Sequence, residues 1–415
     1  MKYILDYLLL PFQIVFLLFS SYYFILSIFG FFKPKEKKDL KPEKSFALVV
    51  AAHNEEQVIG SLVENLFILD YPKELYDVFV VADNCTDKTA DIAASKGAIV
   101  YKRFDNQKKG KGYALEWMFE KIWKYHKDYD AVVIFDADNL VDSNFLKEMN
   151  NRLKKGEKII QGYIDAKNPG DTWISASFAI SFWVINRTYH MAKYNAGLST
   201  ALGGTGMCIS MDVLKEYGWG AVCLTEDLEF SMKALNNGIR TTYAPDAIVY
   251  DEKVLTFMQS WRQRKRWAQG HVDVASRFCL SLFWKGIKNK NLMMIDAALH
   301  LCQPFFLIAV SIFIGISYIN YYVPVYTPIF EKIVPVEVWF VITGGQSIFT
   351  ILCMLIQKVP VKLYKNLLGY PIFLLSWLPI TILGFIYKND KNWSHTLHTR
   401  NISYNELAVE KLGKK

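Results

Sequence analysis

Apolar and polar positions divide the chain into a soluble middle flanked by continuous apolar stretches. Residues 3–32 are almost wholly apolar, and comparable stretches run over 294–319, 336–356 and 367–387. Each reaches the roughly 20 residues with which a helix crosses a hydrocarbon core. The first lacks a basic start and a small-residue cleavage site, so residues 1–32 are expected to be a retained anchor and not a signal peptide. Between residues 45 and 250 the pattern changes. Short, continuous runs of Val, Ile and Phe at 46–51, 78–82 and 132–135 predict strands buried on both faces of a mostly parallel sheet. Amphipathic segments near 58–65, 88–96 (stopped by Gly97), 112–125 and 143–154 predict the helices that cover it. The expected architecture is an α/β, Rossmann-like unit over residues 45–253 with α-helical transmembrane segments outside it; 162–171 and 195–206 read as loops.

Charge orients this arrangement. Lys33, Lys35, Lys37 and Lys38 follow the first apolar stretch, which by the positive-inside rule places the α/β unit in the cytosol. Lys plus Arg number 48 against 40 Asp plus Glu, a net +8. Much of that excess flanks the apolar stretches, so no nucleic-acid partner is needed to explain it. Six cysteines without a C-x-x-C pair argue against a zinc knuckle or a disulfide framework.

The predicted strands end in His53-Asn54-Glu55, Asp83-Asn84-Cys85-Thr86-Asp87 and Asp136-Ala137-Asp138-Asn139. Ligands bind at the carboxyl ends of strands in open α/β sheets, so these clusters should share one acidic crevice. Asp136 and Asp138 would repel each other unless a divalent cation lies between them, and hard oxygen ligands suit Mg²⁺ or Mn²⁺ on a diphosphate. A turn capping the next helix is the plainer reading of a lone D-x-D. Asp83 could meet a base or ribose, or close an Asx-turn; Gly110-Lys111-Gly112 could meet phosphate or form a flexible basic loop. Thr225-Glu226-Asp227 fits an N-cap with acids favoured by the helix dipole, or a carboxylate that deprotonates an acceptor hydroxyl. Residues 254–290 read as amphipathic helices on a membrane surface, in which Gln263, Arg266 and Trp267 could also face diphosphate and sugar.

In this order, Ala51-Ala52-His53-Asn54-Glu55-Glu56, Asp83, Asp136-Ala137-Asp138, Thr225-Glu226-Asp227 and Gln263-Arg264-Lys265-Arg266-Trp267 resemble the membrane-bound family 2 glycosyltransferases, such as cellulose, hyaluronan and poly-N-acetylglucosamine synthases. The resemblance implies a GT-A-like cytosolic catalytic domain over 45–253 and an inverting hexosyltransferase at the cell membrane. Its donor would be a nucleotide sugar, a UDP-sugar by analogy, and its acceptor a growing polysaccharide, with a lipid or lipid-linked acceptor as the alternative. It assigns Asp227 as general base and Ala52, His53, Glu55, Asp83, Lys111, Asp136, Asp138, Gln263 and Arg266 to the donor. Asp136 and Asp138 would hold Mg²⁺ or Mn²⁺; Glu226, Trp267, Gly204 and Thr205 would meet the acceptor. In the tail at 388–415, Trp393, Thr396 and Arg400 are similar to segments that close over the nucleotide. Three full crossings over 294–387 would put that tail outside, so 367–387, broken by Pro371 and Pro379, is expected to be re-entrant or interfacial. A noncatalytic nucleotide-sugar sensor is the reading from another class, but it needs no base at Asp227.

Overall fold

The computed structural model describes residues 2–33, 40–309, 311–312, 336–390, 398 and 400–412. Helix α1 (Lys2–Ile28) precedes an alternation of β1 (Phe46–Ala52), α2 (Ile59–Phe67), β2 (Tyr76–Asp83), α3 (Thr89–Ser95), β3 (Ile99–Arg103), α4 (Lys111–Ile122), β4 (Ala131–Asp136), β5 (Leu140–Val141), α5 (Phe145–Lys154) and β6 (Ile159–Ala166). There follow α6 (Trp173–Ile185), α7 (Ala192–Asn195), β7 (Met207–Ser210), α8 (Met211–Tyr217), α9 (Glu226–Asn236), β8 (Thr241–Asp251), α10 (Phe257–Lys288) and α11 (Leu292–Leu301).

The strands form one sheet in the order β3-β2-β1-β4-β7-β6-β8-β5. β3, β2, β1 and β4 run parallel, as do β6 and β8; β7 and β5 are antiparallel to their neighbours. The continuous apolar runs are explained by two cores. Phe46, Leu48 and Val50 of β1 pack with Ile59, Leu62 and Leu66 of α2, whereas Ala47 and Val49 face Leu115, Met118 and Phe119 of α4. Each such fully buried large side chain contributes about 1.5–3 kcal/mol.

Two expectations are corrected. The expected loop at 162–171 begins as β6, whose register against β8 shifts between Gly162 and Tyr163, opposite the segment holding Pro245. Proline has no ladder N–H and suits such a bulge. Residues 254–290 are expected as several helices, but one 32-residue helix, α10, runs through them. Its start is fixed by Thr256 and Gln259, each side chain accepting the other's backbone N–H.

Among the described residues, one helix (Leu10–Phe31) is long and apolar enough to cross a membrane, or up to three spans exist if each bent pair counts as one. The segments Leu292–Leu301 and Gln303–Ala309 meet at 48°, and Val361–Leu368 and Tyr370–Ile386 at 52°. Pro304 explains the first bend and Gly369-Tyr370-Pro371 the second, since proline cannot extend the preceding helix's hydrogen bonds. α10 lies between these elements. Its Arg264 is fully buried and donates to the Phe373 carbonyl at 3.1 Å and Ser376 Oγ at 2.8 Å.

Candidate active site

Strand order sets the site. β2, β1 and β4 are adjacent, so their carboxyl ends lie side by side. After β1, which Ala52 closes, Asn54 takes a left-handed conformation (φ 55°), as does Asn84 after β2 (φ 52°). Asparagine tolerates that region better than most residues. The Asn54 carboxamide accepts the Thr86 N–H at 2.8 Å, and that of Asn84 accepts the Asp105 N–H at 2.9 Å, so each turn is tied to its neighbour. His53 Nδ1 lies 2.7 Å from the Asp83 carbonyl; as a carbonyl only accepts, this nitrogen carries the proton.

Asp83 is buried and takes a 2.5 Å bond from Arg103 Nη1, itself buried at the end of β3. Burial pushes the Asp83 carboxyl up despite the pull of Arg103. Arg103 escaped the sequence reading because β3 is a partly exposed edge strand with a weak apolar pattern.

Asp136, at the end of β4, takes a 2.5 Å bond from Lys111 Nζ, which also donates to the Gly204 carbonyl at 2.6 Å and lies 3.8 Å from Glu226. Lys111 therefore starts a helix and neutralises an acidic cluster, which neither a phosphate loop nor a flexible loop anticipates. Burial opposes its charge, but Asp136 and Glu226 hold its pKa above the ordinary value. Asp138 is buried and accepts the Glu252 N–H at 3.1 Å. Burial, with repulsion from Asp251 and Asp136, pushes its carboxyl up to about 7. Thr205 Oγ1 meets the Asp136 N–H at 3.2 Å, so the 203–206 loop packs directly on the D-x-D turn.

α9 brings in two more acids. Thr225 occupies the N-cap position and the acids fall in the first turn as expected, but the Thr225 side chain makes no capping bond. It packs instead on Gly270 of α10. Burial, with repulsion from Asp227, pushes Glu226 up to about 7 in spite of Lys111; burial also raises Asp227. A side chain on Gly204 (φ 88°) would lie 3.5 Å from Asp227 Oδ2, so this loop abuts the carboxylate. From α10, Gln263, Arg266 and Trp267 face the same space, as their i, i+3, i+4 spacing allows. Burial lowers the Arg266 pKa, countered by Glu226, Asp136 and Asp227. Trp267 packs edge-on against Phe178 at 5.9 Å.

From the tail, Trp393 and Thr396 lie outside the described residues. Arg400 does not line the cavity: its guanidinium pairs with Asp171 at 2.5 Å and its N–H meets Glu252 at 3.2 Å. Among the described tail residues, His398 enters, 3.1 Å from Glu55 and 3.8 Å from Asp138. Burial disfavours its charge, but Asp138 and Glu55 outweigh burial and push it up to about 10. One cavity of about 1560 Å³ is lined by Ala52, His53, Glu55, Asp83, Lys111, Asp136, Asp138, Gly204, Thr205, Glu226, Asp227, Gln263, Arg266, Trp267 and His398. Such a space can hold a charged nucleotide near a carboxylate of raised proton affinity.

The family model described as glycosyltransferase like family 2 matches residues 42–270. The chain is 27% identical over 269 residues to the probable glycosyltransferase YdaM of Bacillus subtilis, covering 63% of this chain and 62% of that protein. It is 28% identical over 246 residues to a beta-monoglucosyldiacylglycerol synthase of Synechocystis, covering 55% and 48%. Against a poly-beta-1,6-N-acetyl-D-glucosamine synthase of Staphylococcus epidermidis the identity is 25% over 289 residues, covering 66% and 67%. The matched region thus spans about half to two thirds of these relatives. Among solved structures, the mannosyltransferase PcManGT from Pyrobaculum calidifontis, in complex with GDP-Man and Mn²⁺, superposes with a TM-score of 0.61 at 16% identity, over 94% of this chain and 100% of that one. At that identity the likeness is one of fold, and the fold is GT-A.

Proposed function

Because the chain belongs to the family 2 glycosyltransferases, we propose that its crevice moves a hexose from a nucleotide sugar, a UDP-sugar by resemblance, to an acceptor hydroxyl with inversion. The observation that carries this reading is the convergence of three strand ends, the acids of α9 and the Gln263-Arg266-Trp267 face of α10 on one cavity. His53, Glu55 and Asp83 are suited to the nucleoside. Asp83, fixed by Arg103, can accept hydrogen bonds from a base or ribose. Arg266 faces the acidic cluster, and a diphosphate seated there would satisfy its Nε, which is buried without a partner.

Asp136 and Asp138 fit Mg²⁺ or Mn²⁺: burial and mutual repulsion raise Asp138, and a cation would relieve both. Among the described residues no group of three or more His, Cys, Asp or Glu side chains is set to hold a metal, so diphosphate and water would complete the shell. When bound, the ion offsets charge on the departing diphosphate. Asp227 takes the acceptor's proton, its raised pKa making it a better base than an exposed carboxylate. Gly204, Thr205, Glu226 and Trp267 border the acceptor side. The basic run after α1 and the apolar segments support a membrane position with the α/β unit in the cytosol. By resemblance the acceptor is a growing polysaccharide, with a lipid as the alternative.

The test is a screen of radiolabelled nucleotide sugars with detergent-solubilised protein and Mg²⁺ or Mn²⁺, run beside Asp227→Asn. Transfer by the variant should fall by about 10²–10⁴, the usual contribution of a positioned base. Near-normal transfer by a folded Asp227→Asn protein would remove the assignment.

A further inference from the structure

Asn139 follows the two carboxylates of the D-x-D turn and, at 1% exposure, stands behind the cavity wall without lining it. A carboxamide can accept two hydrogen bonds and donate two, and here all four are made. Oδ1 accepts the Asp136 N–H at 3.1 Å and the Thr205 hydroxyl, while Nδ2 donates to Asp138 Oδ1 at 3.2 Å and to Asp251 Oδ1 at 3.1 Å. The chemistry of the partners forces this orientation. A backbone N–H only donates and an ionised carboxylate only accepts, so a flipped amide would lose Asp136 and both acids. An aspartate of the same shape would turn an oxygen on two carboxylates, and a hydrocarbon side chain would hold none of the four groups.

The four partners come from different parts of the site. Asp136 ends β4 and Asp138 follows it; Asp251 ends β8 and takes a second bond from Lys253 Nζ at 2.6 Å; Thr205 belongs to the 203–206 loop. With Oδ1 on Asn139 and Oδ2 on the Glu252 N–H at 3.1 Å, the Asp138 carboxylate is held from both oxygens and cannot rotate freely. The loop is braced as well. Gln161 of β6, fully buried, accepts the Gly203 N–H at 2.7 Å and donates to the Thr205 carbonyl at 2.9 Å, and Gly204 between them abuts Asp227. A displacement of Asn139 therefore reaches both the acid suited to a cation and the loop beside the base.

We propose that Asn139 is a positioning residue for the transfer. Through one carboxamide it fixes the Asp138 carboxylate for a divalent cation and fastens the 203–206 loop to the D-x-D turn, so that the metal side and the acceptor side of the cavity keep a single geometry. It touches neither donor nor acceptor and acts only through Asp136, Asp138 and Thr205. Groups that orient the ligands of a metal commonly account for about 10- to 100-fold in metal affinity or activity. This inference rests on the glycosyl-transfer reading and deepens it by naming the residue that couples the two halves of the site.

The experiment titrates full-length protein in detergent with Mn²⁺ alone, free Mn²⁺ being read from its EPR signal, beside a melting curve and kcat with the radiolabelled nucleotide sugar that the wild type turns over. Asn139→Ala should raise the Mn²⁺ Kd about 10- to 100-fold and lower kcat even at saturating Mn²⁺. Asn139→Ser, with one O–H in place of two N–H groups, cannot hold both carboxylates and should lose Mn²⁺ affinity in the same way. Thr205→Val leaves Asn139 on both acids but frees the loop, so kcat should fall about tenfold with the Mn²⁺ Kd unchanged, and Thr205→Ser should restore it. A residue that served stability alone would lower the Tm and leave the Mn²⁺ affinity of the folded protein as it was. Wild-type Mn²⁺ affinity in a folded Asn139→Ala or Asn139→Ser protein overturns the assignment, as does wild-type kcat in Thr205→Val. Loss of cooperative unfolding in both Asn139 variants makes the residue a structural one and overturns it too. Each of these results leaves the transferase reading standing, whereas wild-type protein that binds no Mn²⁺ and transfers from no nucleotide sugar overturns that reading and this inference with it.

Discussion

Gly270→Ala tests whether the contact between α9 and α10 sets the active geometry. A Cβ added at Gly270 would lie 2.6 Å from Thr225 Cγ2, 2.9 Å from its Cβ, and closer still to Oγ1. Rotating Thr225 does not help, because its Cβ is itself too near. Ordinary carbon contacts need about 3.5–4.0 Å, so the two elements must part by roughly 1 Å. Alanine favours a helix interior over glycine by about 0.8–1.0 kcal/mol, while overpacking costs about 1–3 kcal/mol, leaving a net loss of roughly 0–2 kcal/mol. Stability therefore changes little. Catalysis should change more, since the contact lies between Asp227 on α9 and Arg266 and Trp267 on α10, and a 1 Å misplacement costs on the order of 100-fold. The assay is kcat for radiolabelled sugar transfer beside a melting curve in detergent. The expected result is a large fall in kcat with a small shift in Tm, and partial recovery in Gly270→Ala/Thr225→Gly, which removes every clashing side-chain atom. Wild-type kcat in Gly270→Ala would refute the argument that this contact positions the acids against the α10 face.

Two further outcomes follow from the charges. Burial raises the base Asp227, and a raised carboxylate is ionised only above its pKa, so kcat/KM should be full at high pH and lost on acidification at a higher pH than an ordinary aspartate would give. Glu226→Gln removes one repelling charge and should move that acid limb to lower pH; an unmoved limb in the pH–rate profile would exclude the coupling. Arg103→Gln leaves Asp83 buried without its cation, a change that costs about 3–5 kcal/mol, so chemical denaturation should show that loss and the KM for nucleotide sugar should rise. Adding Asp83→Asn should restore stability but not donor affinity, and a double-mutant cycle with no coupling would count against the pair.

The local pattern is legible in the chain. β1, β2 and β4 were legible as continuous apolar runs because both of their faces are buried, and the polar groups at their ends could be assigned to one crevice from the topology of parallel sheets. The motif order pointed to the family, and basic, aromatic helical sequence after the α/β unit was visible from Thr256 onward, although its continuity as one helix to Lys288 was not. Edge strand β3 was not legible, because a half-exposed strand lacks a strong period, and with it went Arg103, the partner of Asp83. Only the tertiary structure seated Lys111 on Asp136, pressed Thr225 into Gly270, inserted His398 between Glu55 and Asp138 and brought His271 to His300. Periodicity reports how each residue faces its own element, whereas these contacts join elements far apart in the chain. Their charges and burial exist only after the sheet, α9 and α10 have packed together.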